Sequence, residues 1–104
     1  MWFAVSLLFE SVHPDHPENE FLWEERVLLV RAETEENARQ EGELLGKAEQ
    51  HEYTAANGDL VRWVFRQVES VSAIESLDHG TELFSRFLSK QEVESLLSPF
   101  NEPS

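Results

Sequence analysis

Two clusters and a set of arginines carry most of the chemistry this chain could perform. His13, Asp15, His16 and Glu18 bring imidazole and carboxylate donors close together. Zinc favours such donors, but three or four must converge at fixed geometry. Pro14 and Pro17 deny the stretch a helical frame, so a solvated turn is the expectation and no metal or other cofactor is assigned. Trp23-Glu24-Glu25-Arg26 is the densest cluster. Paired carboxylates can divide into acid and base when their environments differ. Adjacent strand residues point to opposite faces, however, so Glu24 and Glu25 cannot share one site and no catalytic residue is assigned. Glu24 and Arg26 share a face and should meet opposite charges on a neighbouring strand, a contribution of roughly 0.2–1 kcal/mol per pair. Arg62 and Arg66 share a strand face, and Arg86 lies on a later strand. They could bind an anion through bidentate contacts. The preferred expectation is that they neutralise Glu24, Glu25, Glu69 or Glu82 across the sheet.

The composition limits the alternatives. The chain has 104 residues, no cysteine, and 21 acidic against 8 basic side chains, a net charge of -13. That length suits one domain. At 40% apolar and 11% aromatic it is too hydrophobic for a disordered acidic tail. Without cysteine there is no disulfide scaffold, thiolate metal site or Cys nucleophile. The acidity argues against nucleic-acid binding, which needs clustered Lys and Arg. No apolar run approaches the roughly 20 residues needed to span a bilayer, and Met1-Trp2-Phe3 lacks the basic lead of a secretory signal. The expectation is therefore a soluble, cytoplasmic protein without a membrane partner. With 4 glycines and no phosphate loop, nucleophile elbow or HExxH spacing, the common catalytic frames are missing. Acidity is spread along the chain, net -8 in residues 1–50 and -5 in residues 51–104, as on a solvated exterior.

Hydrophobic periodicity gives the elements that would position these groups. Trp2 to Phe9 alternates Phe3, Val5, Leu7 and Phe9 against Trp2, Ala4, Ser6 and Leu8, a core strand. Phe21 to Ala32 reads as a second strand, polar on both faces near Glu24 and apolar on both from Val27 to Val30. Thr34 is an N-cap with Glu35 and Glu36 in the first turn, opening a helix to about Glu49. Its buried stripe is expected to be Ala38, Gly42, Leu45 and Ala48, with Gly46 as a possible helix ender. His51 to Ala56 and Leu60 to Val68 form a hairpin about Asn57-Gly58, read as a two-residue turn. Val61, Trp63 and Phe65 share one face of the second hairpin strand. Val68 to Leu77 is mixed in character and reads either as a long extension of that strand or as a loop, Asp78-His79-Gly80 is a turn, and Thr81 to Leu88 is expected to be a fifth strand. Ser89-Lys90-Gln91-Glu92 is a capping box that opens a short helix to about Ser98, stopped by Pro99. The prediction is α+β: a mostly antiparallel five-stranded sheet in the order β-β-α-β-β-β-α, one domain over 1–98 and a tail over 99–104.

Several segments resemble the small, mostly bacterial proteins of the domain of unknown function 4288 family. They are Leu22-Trp23-Glu24-Glu25-Arg26-Val27, Leu45-Gly46-Lys47-Ala48, His51-Glu52-Tyr53, Gly58-Asp59-Leu60-Val61-Arg62-Trp63 and Gly80 to Phe87. Phe84 stands where the resemblance leads one to look for tyrosine, so no role for a hydroxyl is carried over. The resemblance implies one compact domain and brings no activity, substrate or catalytic residue.

One long and one short helix cannot cover both faces of an apolar five-stranded sheet. Self-association about a two-fold axis is the expected cover. The leading expectation is a non-enzymatic interaction module, a homodimer. Its candidate binding residues are Trp23, Glu25, Arg62, Trp63, Glu82 and Arg86, gathered where strand ends meet. An alternative is an immunity-type inhibitor that neutralises a basic toxin or nuclease by charge complementarity. A further alternative is a small enzyme or binder of an anionic metabolite, which requires Arg62 and Arg86 in one concave pocket.

Overall fold

The computed structural model describes residues 1–18 and 22–97. Strand β1 (Trp2–Val12) is followed by β2 (Trp23–Arg31), helix α1 (Glu35–Ala48), β3 (His51–Thr54), β4 (Leu60–Ile74) and helix α2 (Lys90–Leu97). The four strands form one antiparallel sheet in the order β2-β1-β4-β3. Phe21, where the second strand was expected to begin, lies outside the described residues, as do the expected end of the last helix at Ser98, the Pro99 stop and the tail over 99–104.

Among the described residues the sheet has four strands, not five. Thr81 to Leu88 is not a strand; it follows a turn at Asp78–Thr81, where Gly80 takes φ 87°. The segment crosses one face of the sheet, Arg86 reaching Glu25, instead of pairing at an edge. Much of the mixed stretch after Val68 belongs to β4, which runs on to Ile74. Its alternation is hidden because the β1–β4 ladder shifts register twice. Phe65 and Gln67 are consecutive partners of β1, as are Val68 and Ser70, so Arg66 and Glu69 are the extra residues of two bulges.

Phe3, Val5, Leu7 and Phe9 of β1, one of the two interior strands, point to the inner face and are buried with Val30, Val68 and Ala38 of α1. Each large side chain so buried stabilises the fold by about 1.5–3 kcal/mol. Trp63, Phe65, Leu28 and Leu45 pack around this cluster, and Phe9 meets Phe65 edge-on with centroids 5.7 Å apart.

Helix α1 closes the inner face. Thr34 caps it in extended conformation, its Oγ1 accepting from the Asn37 amide at 3.0 Å. The stripe that touches the sheet is Ala38, Gly42 and Gly46. Leu45 is half-buried and Ala48 is exposed, which corrects the expected stripe. Spacing of four residues keeps the three smallest side chains in line. A Cβ on Gly42 would lie 2.7 Å from Val5 Cγ1, and one on Gly46 would run into the Phe65 ring. Gly46 therefore serves close approach inside the helix; it does not end it, since the helix continues to Ala48 and Glu49 caps it.

The hairpin between β3 and β4 is one residue longer than expected. The Gly58 amide donates to Ala55 O at 2.9 Å and the Ala55 amide to Asp59 O at 2.8 Å. Ala56, Asn57 and Gly58 form the loop, with Gly58 at φ 91°, a turn followed by a left-handed glycine.

Candidate functional site

With α1 on the inner face, the even-numbered side chains of β1 and their partners form an outer face. Across β2 and β1 these partners are Leu29 with Ala4, Val27 with Ser6, Glu25 with Leu8 and Trp23 with Glu10. Ala4, Ser6 and Ile74 are buried on this face. Small side chains along β1 and β4 (Ala4, Ser6, Ser70 and Ser72) leave a trough, and the segment after β4 returns over this side of the sheet. The β2 half of the face stays open: Trp23 is 56% exposed, Val27 43% and Leu29 52%.

Glu25 is the hub of this face. Ser6 Oγ donates to its Oε2 at 2.5 Å, so the buried hydroxyl is satisfied, and Arg86 Nη1 approaches its Oε1 at 3.4 Å. One carboxylate thus ties β1 to the returning segment. Glu24, on the opposite face, takes Arg26 Nε at 2.6 Å. Arg26 also reaches Glu49 at the end of α1, at 3.5 Å, and its guanidinium lies over the Phe9 ring, 4.4 Å from the centroid. Instead of a neighbouring strand, Glu24 and Arg26 meet each other and the helix cap.

The six candidate residues divide. Trp23, Glu25 and Arg86 come together on the β2 half of the outer face. Arg62 shares that face but pairs with Glu52 on β3 at 2.6 Å. Trp63 belongs to the inner face, packed on the core. Glu82 borders a hollow near the end of β4 with Ala73, Ser76 and Thr81. Arg62 and Arg86 therefore sit in separate ion pairs, and Arg66 pairs with Glu10 at 2.8 Å. The single concave pocket that the anion-binding alternative requires of Arg62 and Arg86 does not form. The outer apolar residues Val27 and Leu29 were missed as site residues, although the run Val27 to Val30, apolar on both faces, carried the signal.

The histidine loop packs on the hairpin. His16 Nε2 is 3.0 Å from Asp59 Oδ2, Asp15 Oδ2 accepts from the Leu60 amide at 3.2 Å, and His13 Nε2 is 3.2 Å from Ser11 Oγ. Among the described residues no three His, Asp or Glu gather as metal ligands do. A cleft of about 580 Å³ runs between α1 and β4, lined by Arg39, Glu43, Lys47, Gln50, Phe65 and Arg66, among others. Its charges are mixed in sign, and Gln50 Oε1 accepts the Phe65 amide at 3.0 Å, closing part of the β4 edge that β3 leaves open.

Helix α2 keeps the expected cap: the Ser89 amide donates to Glu92 Oε1 at 3.2 Å and the Glu92 amide to Ser89 Oγ at 3.1 Å. The Ser89 amide foremost, then its hydroxyl, holds the Glu92 carboxyl below its ordinary value of 4.5. No residue of α2 is buried, and no described helix is long and apolar enough to cross a membrane.

Residues 2–85 match the family described as domain of unknown function (DUF4288). The chain belongs to this family. The match covers every strand and α1, and stops short of Arg86 and α2. No curated protein and no solved structure matches the chain, so the family leaves the chemistry to the residues above.

Proposed function

We propose that this DUF4288 domain is a non-enzymatic protein-interaction module that pairs with a second copy of itself through the β2 half of the outer sheet face. The observation that carries this reading is the exposure of Trp23, Val27 and Leu29 in a row on one edge strand. Half-exposed apolar side chains that line up on one surface favour burial against a partner. A two-fold axis lets the same patch serve both copies. The catalytic reading has no comparable support, because Arg26, Arg62, Arg66 and Arg86 are each matched by a carboxylate.

Light scattering tests the proposal. At about 100 μM, enough to populate a micromolar complex, the mass should be twice the 12.0 kDa of the chain. Each copy carries -13, so raising salt from about 0.05 to 0.5 M should tighten the pairing by screening repulsion. Leu29→Glu should yield a folded monomer, its circular dichroism unchanged. A wild-type chain that stays monomeric at that concentration in high salt overturns the proposal.

A further inference from the structure

Helix α2 has eight residues, and isolated helices shorter than about 12–15 residues are marginal in water. The reciprocal Ser89–Glu92 cap offsets only part of that deficit. Such a helix needs a surface to pack on, yet none of its residues is buried. Val93 and Leu96, three residues apart, lie on one side and are exposed. The segment leading into α2 is anchored by Arg86 on Glu25 of β2, which is an edge strand of the sheet. Phe87, the next residue, is fully exposed. The chain therefore leaves the body at β2, beside the open patch of Trp23, Val27 and Leu29.

We infer that the occupant of the open patch is α2 of a second copy: the two protomers exchange their C-terminal arms, Val93 and Leu96 of each helix seating on the outer face of the other's β2. This inference rests on the pairing proposed above and specifies what does the pairing. Two unpartnered apolar surfaces on one chain, adjoining at β2, then cover each other. With Phe87 and Leu83 at the rim, the apolar area available is on the order of 800 Å² per protomer, the size of a standard interface.

The absence of cysteine makes a clean cross-linking test possible. Val27→Cys and Leu96→Cys are made as separate full-length chains, one carrying a mass tag, then mixed and treated with a short bismaleimide. Arm exchange predicts a covalent product containing one chain of each kind. It also predicts that Val93→Glu with Leu96→Glu weakens dimerisation by about 100-fold or more. Both side chains are exposed in their own protomer, Val93 at 37% and Leu96 at 55%, so the urea midpoint measured on the monomer at high dilution should move little. A wild-type dimer that yields no mixed product overturns arm exchange and leaves sheet pairing standing. Cross-linking confined within a chain that carries both cysteines shows that the arm closes on its own sheet, and also overturns it. A monomeric wild-type chain defeats both this inference and the reading beneath it.

Discussion

Replacing Gly46 by alanine tests how closely α1 sits on the sheet. In an exposed helix the change would stabilise by about 0.8–1 kcal/mol. Here the added Cβ would meet Cδ1, Cε1 and Cγ of the Phe65 ring, the last at 2.8 Å. The ring cannot step aside freely, because it stands edge-on to the fully buried Phe9, a contact worth about 0.5–1.5 kcal/mol. Lifting the helix instead would open the contacts of Ala38 and Gly42. Overpacking of this kind costs about 1–3 kcal/mol, which offsets or outweighs the propensity gain, so a net loss of up to about 2 kcal/mol is expected. For a domain of this size that is a fall in Tm of up to about 16 °C. Urea unfolding should show a lower midpoint at unchanged slope. Phe65→Leu removes the ring, so Gly46→Ala made in that background should be close to neutral or stabilising, and the two changes should be clearly non-additive. A Gly46→Ala chain more stable than wild type would refute the close approach.

Two other outcomes follow from the ion pairs and the cap. Arg26→Met should cost about 1–2 kcal/mol in urea unfolding, since Arg26 covers Phe9 and joins β2 to the end of α1. Arg62→Met, which loses one exposed pair with Glu52, should stay within about 0.5 kcal/mol; equal losses would count against the assigned role of Arg26. The carboxyl of Glu92 is depressed in the folded helix. Its contribution to α2 is therefore present above the unfolded value and lost as pH falls through the lowered one. The Ser89 amide resonance followed by NMR on acidification should keep its capped shift at pH 5 and lose it only below the ordinary glutamate range; loss of the cap already near pH 6 would contradict the assignment.

Much of the fold was legible wherever a local rule had one reading. The alternation of Phe3, Val5, Leu7 and Phe9 placed the core strand, Thr34 the start of α1, and Ser89 with Glu92 the cap of α2. The end of β4 was not legible, because Arg66 and Glu69 occupy bulges, and each extra residue reverses the phase on which a strand is recognised. Thr81 to Leu88 has the alternation of a strand, yet it lies across a sheet face; periodicity reports which side chains are apolar, not which edge the backbone joins. Of the candidate binding residues, Trp23, Glu25 and Arg86, chosen from residue type, lie on one part of the outer face. Trp63 was misplaced because its face depends on where α1 packs.

Charge and the lack of cysteine determined by themselves that this chain is acidic and carries neither disulfides nor thiolate chemistry. Local propensity determined both helix starts and the position of the hairpin. Only the tertiary structure decided which carboxylates Arg26, Arg62, Arg66 and Arg86 meet, which sheet face α1 covers, and that no residue of α2 is buried. Those outcomes depend on pairing between residues far apart in the chain, whose register is set by bulges and by the close seating of Gly42 and Gly46, and no short window of sequence contains both partners.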